Sequence, residues 1–369
     1  MIELSKLDWC KAFIWVVNMN IVDGFKNDVR ESDYLICFGV GRRFKIFNDL
    51  FSMNQIIVDK VYCCVDNDSS KQGKTVELSN KILNIWSMEC LISFMAQHTK
   101  KRFLFLVTIA KSQSFFDLFQ SNEVLNNIKV YFFSDIYACV EEEAASQKVL
   151  PSNIKLAERE LIPRKIHYCW FGHNPIPEEC NKYVQSWKKY CPDYEIIQWN
   201  EDNYDVMKNK YMYEAYKQKK WAFVSDYARL DIVYQEGGVY LDTDVELLKP
   251  LDDFLYQKGF IGFETSRYVN TGLGFGAIAG LDIIRELRDE YEHYEFIDEK
   301  GNCDLTPCPH LQTNYLLTKG LELNGEFQKV SDLTIYPVKV LCGINPISFE
   351  KNITAYTVAI HHFKGSWLD

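Results

Sequence analysis

Trp221-Ala-Phe-Val-Ser-Asp-Tyr-Ala-Arg-Leu-Asp-Ile-Val-Tyr-Gln-Glu-Gly-Gly-Val-Tyr-Leu-Asp-Thr-Asp-Val-Glu-Leu-Leu-Lys-Pro250 reads as a helix, a stop and a strand in close succession. Phe223, Tyr227, Leu230 and Tyr234 recur at offsets of four, three and four, which predicts one apolar stripe on a helix. Gly237 and Gly238 end that helix, because glycine accepts the backbone conformations of a helix terminus without steric cost. Val239-Tyr-Leu241 follows as a buried strand, and Asp242-Thr-Asp244 comes directly after it. Two carboxylates therefore stand at the C-terminal end of a strand, where open α/β sheets bind their ligands.

At a strand end the backbone turns, and both carboxylates, Asp242 and Asp244, can converge on one point. Oxygen ligands of this kind suit hard divalent cations, which can grip a diphosphate and stabilise the negative charge of a departing nucleotide. Alone the Asp-x-Asp pattern is weak, since Asp66-Asn-Asp68 repeats it among 51 acidic residues.

Towards the N-terminus, residues 4–22 read as a helix, and Tyr34–Phe38, Val58–Val65, Phe103–Ile109 and Lys129–Phe133 as four strands separated by helical stretches. Alternation of this kind predicts a parallel sheet covered on both faces. We expect residues 1–150 to form a small Rossmann-like α/β domain, 151–160 a linker, and 161–369 a second domain. Gly39-Val-Gly41 after the first strand, with Asp66 closing the second, imitates a dinucleotide-binding turn. The third glycine of that fingerprint falls on Phe44, whose bulk opposes the close packing the motif requires. A structural, oligomerising or partner-docking role is therefore expected for residues 1–150, with nucleotide binding there left open.

With 369 residues, 47% of them hydrophobic and 15% aromatic, the chain has material for two sizeable cores, which excludes disorder and disulfide-stapled miniproteins. A net charge of −10 argues against a general nucleic-acid surface. The twelve cysteines form no Cys-x-x-Cys pair, so reduced, mostly buried thiols in a cytoplasmic protein are expected rather than a zinc site. Ala12–Val17 is too short to span a bilayer and lacks a signal peptide's flanks. A cytoplasmic location is the expectation, with peripheral contact at the inner membrane's cytoplasmic face left open.

Five ordered motifs give the Asp-x-Asp pair a context: Ile162–Gly172, Ser186–Asn200, Phe223–Arg229, Gly237–Asp244 and His361–Trp367. Together they resemble the sugar-nucleotide glycosyltransferases with a DXD-containing sugar-binding region, a family that includes yeast initiating mannosyltransferases and bacterial capsule enzymes. They are more distantly similar to the glucosyltransferase domains of large clostridial toxins. The resemblance covers about residues 160–369. It implies a GT-A-type domain, manganese or magnesium, a nucleoside-diphosphate sugar and retention of anomeric configuration. By the same resemblance Trp170 would stack on the nucleobase, while Ser225, Asp226 and Arg229 would meet the donor sugar. Asp242 would contact ribose or sugar and share in binding the metal with Asp244, and His362 would complete its shell with His361 as the fallback. Ser366 and Trp367 would close over the diphosphate and sugar. Val65–Gly73 resembles the small Rossmann-like domains attached to capsule and sugar-modifying enzymes.

The resemblance thus implies a retaining hexosyltransferase that moves a hexose, from UDP-galactose or UDP-glucose by default, to an oligosaccharide or lipid-linked saccharide in bacterial capsule or surface-polysaccharide synthesis. No carboxylate stands as an evident nucleophile, which favours same-face attack by the acceptor over a covalent intermediate. A protein acceptor and a catalytically silent nucleotide-sugar-binding protein are the alternatives. No nucleic-acid partner is expected, and self-association through residues 1–150 is left open. His310 is expected to be structural, and Asn270-Thr-Gly272 to line the site.

Overall fold

Short runs of consecutive apolar residues become strands here because a sheet covered on both faces has no polar side to mark. In the computed structural model, Tyr34–Phe38 (β1), Val61–Val65 (β2) and Phe103–Val107 (β5) are such strands, and nearly all their residues are buried. The structure describes residues 21–364 except 110–114, 116–118, 120–121, 126–127, 147–149, 152, 348 and 350. Most of the helix expected over 4–22 thus lies outside the described residues, as do Ser366 and Trp367. The chain divides into two compact units, one ending at Glu142 and the other beginning at Glu143.

The first unit holds a six-stranded sheet in the order β3–β4–β2–β1–β5–β6, where β3 is Thr75–Leu78, β4 Lys81–Trp86 and β6 Lys129–Phe132. Its strands from β4 to β6 are parallel, and β3 is an antiparallel edge. The β3–β4 hairpin is absent from the sequence reading, because its outer strand exposes half its residues and offers no apolar run. Asp66, at the end of β2, is spent inside the fold: it accepts hydrogen bonds from the N–H groups of Val40 at 3.0 Å and Asp68 at 2.9 Å, and from Lys71 Nζ at 3.3 Å. Phe44 is buried in the helix Arg42–Phe51 that follows the glycine turn.

In the second unit Lys165–Cys169 (β7), Glu195–Trp199 (β8) and Gly238–Tyr240 (β9) run parallel. Val245–Leu247 (β10) leaves this sheet to pair elsewhere. Gly259–Thr265 (β11), Tyr268–Asn270 (β12), Phe275–Ala277 (β13), Gln328–Val330 (β14) and Leu333–Tyr336 (β15) complete an eight-stranded mixed sheet ordered β14–β15–β11–β13–β9–β7–β8, with β12 on β11. Ala359–His361 (β16) pairs antiparallel with β10, setting His361 opposite Val245.

The helix Trp221–Glu236 is buried on all sides rather than along one stripe: every residue from Phe223 to Val233 is buried. It is a core helix, and its charged residues are correspondingly enclosed. Gly237 and Gly238, at φ +62° and +111°, turn the chain out of it into β9. A Cβ on Gly238 would lie 2.9 Å from His167 Nε2, so the strand can approach β7 only with glycine there. His167 itself is buried, with Nε2 2.8 Å from the Gly237 carbonyl and Nδ1 accepting from Trp199 Nε1 at 3.1 Å. Burial is the main cause of its lowered pKa, and the neutral ring with its proton on Nε2 fits both contacts.

Ser186 and Trp187 brace the other side. The Trp187 indole donates to the Val245 carbonyl at 2.8 Å, and Ser186 Oγ accepts from Leu247 N–H at 2.9 Å. These motif residues hold β10, and through it β16. No helix among the described residues is long and apolar enough to cross a membrane.

Candidate active site

Asp242 and Asp244 leave the end of β9 as the chain turns toward β10, and the turn brings both carboxylates to one imidazole. His361 Nε2 lies 3.1 Å from Asp244 Oδ1 and 3.9 Å from Asp242 Oδ2. The ligand atoms of these three residues lie within 4.8 Å of one another. The Lys364 N–H donates to the second Asp244 oxygen at 3.0 Å.

His362, the expected ligand, is elsewhere. Its Nε2 is 3.0 Å from Glu246 and its ring stacks on Tyr183 at 4.4 Å. Neighbouring residues of an extended strand point to opposite sides, so only one histidine of the pair can face Asp244. The register of β16 on β10 assigns that side to His361, the fallback. This alternation is the signal that the resemblance, which put His362 first, did not weigh.

Behind the Asp-x-Asp pair stands Arg229, 3% exposed. Its Nη2 bridges Asp226 Oδ1 at 3.0 Å and Asp242 Oδ1 at 3.3 Å, and its Nε donates to the Ser225 carbonyl at 3.1 Å. Asp226 and Arg229 are thus a buried pair rather than a surface one. Tyr240 donates its hydroxyl to Asp242 Oδ1 at 3.0 Å. Ser225 Oγ donates to the Trp221 carbonyl at 3.1 Å, a bond within its own helix. Trp170 lies at the end of β7, partly exposed, with its indole N–H donating to the Asn174 carbonyl at 2.6 Å.

Gly272 closes the floor. A Cβ there would fall 2.4 Å from Asp242 Oδ2 and 3.1 Å from Arg229 Nη1, so any side chain would displace the carboxylate. Gln312 fixes the same turn by accepting from the Thr271 N–H at 3.1 Å and donating to Thr271 Oγ1 at 2.7 Å. Cys308 Sγ lies 4.0 Å from Arg229 Nη1. His310 stacks on Tyr268 at 4.3 Å. Tyr240, Cys308, Gln312 and Glu264 are site neighbours that sequence reasoning missed, because single polar residues on core elements carry no spacing signal.

Electrostatics divide the acids. Burial pushes Asp226 up to about 6 against the pull of Arg229. Desolvation likewise raises Asp242, again opposed by Arg229. Asp244 is desolvated too, but the charge and hydrogen bond of His361 and the Lys364 N–H outweigh this and hold it below the usual carboxylate range. His361 is the mirror case: burial favours its neutral form, yet Asp244 and then Asp242 raise its pKa.

Two carboxylate oxygens and an imidazole nitrogen form a donor set that manganese accepts, and harder magnesium less readily. Among the described residues His361 Nδ1 is buried without a hydrogen-bond partner, leaving Nε2 as the ring's engaged side. The residues therefore fit a divalent cation held by Asp242, Asp244 and His361.

Residues 177–261 match the family described as a glycosyltransferase sugar-binding region containing a DXD motif. Inositol phosphoceramide mannosyltransferase 1 of Schizosaccharomyces pombe is 34% identical over 113 residues, 28% of this chain and 34% of the relative. Subversion of eukaryotic traffic protein A of Legionella pneumophila is 29% identical over 174 residues, 38% of this chain and 27% of the relative. Human alpha-1,4-N-acetylglucosaminyltransferase is 31% identical over 141 residues, 37% and 38% of the two chains. The matches span about a third of these relatives' length. The likeness to glycosyltransferases of the DXD type holds, over a shorter stretch than the motifs suggested.

Proposed function

We propose that the chain is a glycosyltransferase that uses a divalent cation to bind a nucleoside-diphosphate sugar and transfers the sugar to a saccharide acceptor. The observation that carries this reading is the convergence of Asp242, Asp244 and His361 over the buried Arg229–Asp226 pair. When bound, the cation would neutralise the diphosphate and stabilise the leaving group's charge. Asp244 and His361 would hold it, and Asp242 would share it while anchored to Arg229 and Tyr240.

Arg229 keeps its charge throughout, since a guanidinium does not deprotonate in a protein. Its role is to hold two carboxylates in place and to meet the donor from the floor of the site, not to move a proton. Asp226 would accept a sugar hydroxyl, and Trp170 would offer its ring to the base. We assign retention by same-face attack, in which the leaving phosphate removes the acceptor proton. A GT-A arrangement, a UDP-galactose or UDP-glucose donor and a bacterial surface-polysaccharide acceptor complete the reading. These finer assignments rest on family resemblance.

The test is nucleotide release from a panel of UDP- and GDP-sugars, with manganese and with chelator, for wild type and Asp244→Asn. The expected result is metal-dependent release from one donor that the variant loses. Neither release nor donor binding with manganese present would sink the reading and leave a sugar-binding or scaffold role.

A further inference from the structure

Strand β11 carries a bulge beside the site. Phe263 pairs with Val269 and Thr265 with Tyr268, so Glu264 is the extra residue between them. Bulges of this kind re-aim a side chain and recur next to active sites. Glu264 is a buried carboxylate, 5% exposed, on a strand that is apolar from Gly259 to Phe263. Placing an acid there is costly unless it has strong partners. It accepts from Asn270 Nδ2 at 2.6 Å, and Asn270 Oδ1 accepts from the Gly272 N–H at 2.6 Å. The Gly272 carbonyl in turn accepts from the Asp242 N–H at 3.3 Å. Acceptor and donor alternate without a break from Glu264 to the Asp-x-Asp turn.

The Asn270 amide could be satisfied either way round in isolation. Glu264, having only acceptors when ionised, forces the NH2 group towards itself and the oxygen towards Gly272. That orientation seats Gly272 against Asp242, at a distance where no side chain fits.

We propose that Glu264 is a positioning residue that sets the Asn270–Gly272 turn and thereby the place of Asp242 in the cation site. The proposal rests on the functional reading above. The charge of Glu264 also reaches His361, adding to the larger effects of Asp244 and Asp242 that oppose burial there.

The experiment is manganese binding to the full-length, metal-free protein by electron paramagnetic resonance, with no donor present. Glu264→Leu is expected to weaken binding by about 10–100-fold, the usual cost of losing an outer-shell partner. Glu264→Gln should stay near wild type, because its amide oxygen can still accept from Asn270. Asn270→Asp should bind poorly, since two carboxylates would then face each other. The double variant Glu264→Gln with Asn270→Asp reverses the donor and acceptor, and should recover binding relative to Asn270→Asp alone. Thermal unfolding of each variant checks the fold. If Glu264→Leu does not fold, the recovery in the double variant decides by itself. Wild-type affinity in Glu264→Leu, or no recovery in the double variant, would overturn the positioning role while leaving the proposed function standing. A wild-type protein that takes up no manganese would remove both.

Discussion

Asp244 and His361 hold each other in charged form, and that mutual grip governs how a cation enters. His361 has a raised pKa because Asp244 and Asp242 outweigh its burial, so the metal-free ring keeps its proton above the ordinary range for histidine. A cation bound at Nε2 must displace that proton. Manganese affinity is therefore expected to rise with pH above about 6.5, the ordinary histidine value, and to go on rising where an unperturbed imidazole would already have lost its proton. Titrations at several pH values would check this, and a flat profile would remove His361 from the ligand set. The sign for stability is opposite. A raised histidine contributes stability below its unfolded pKa that is lost as pH rises through the folded value. The lowered Asp244 contributes stability above its unfolded pKa that is lost as pH falls. Without metal the pair stabilises the fold most between those limits. Arg229 gives a second prediction. Removing one partner from a buried ionic cluster leaves uncompensated charge, so Arg229→Ala should destabilise the protein by about 3–5 kcal/mol, measured by denaturant unfolding. Arg229→Lys should rescue little, because one ammonium cannot reproduce the fork that reaches Asp226, Asp242 and the Ser225 carbonyl together.

Among elements, the helix Trp221–Glu236 shows what periodicity can and cannot convey. Its start, its glycine stop and the strand after it are legible because apolar spacing and paired glycines are local signals. Its burial on every side is not, since an enclosed acid and a solvated acid look alike in sequence. Asp231 is the clearest instance. It accepts from Tyr204 Oη at 2.8 Å and pairs with Lys208 and Arg288, both at 3.1 Å. Burial would raise its pKa, but these partners outweigh burial and lower it. The cluster ties the helix to Tyr204 and Lys208 on one segment and to Arg288 on the helix Asp282–Asp289. Asp231→Ala is expected to cost about 1–3 kcal/mol near neutral pH, because it leaves the buried Tyr204 hydroxyl without its acceptor and takes one carboxylate from Arg288, which keeps Asp289. A lowered carboxylate loses its contribution as pH falls, so the gap between wild type and variant should narrow in acid. Equal gaps at pH about 2 and about 7, well to either side of the ordinary aspartate value, would show that Asp231 acts through packing alone. The β10–β16 pairing was equally illegible, because two three-residue strands have no pattern of their own. Only their register decides between His361 and His362.

At the scale of the whole chain, the motifs fall within the second unit, and so does every described residue assigned to the site. The division after Glu142 falls within the helix Phe133–Ser146, ahead of the boundary at residue 150 expected from the sequence. The first unit has a parallel sheet with a glycine turn at its carboxyl end, yet its acid there, Asp66, is already bonded to Val40, Asp68 and Lys71. A ribose would have to displace those bonds to use the carboxylate, and Phe44 occupies the position where the dinucleotide fingerprint has its third glycine. These facts give the last prediction. Residues 143–369 produced alone should bind manganese and a nucleotide sugar with affinities close to those of the full chain, because the cores on both faces of the mixed sheet are built from residues of that unit. Circular dichroism establishes whether the fragment folds, and calorimetric titration of manganese and then of UDP-sugar compares it with the full chain. If the folded fragment binds the cation normally but loses the donor, the first unit supplies part of the donor site, and a binding role for residues 1–142 replaces a structural one.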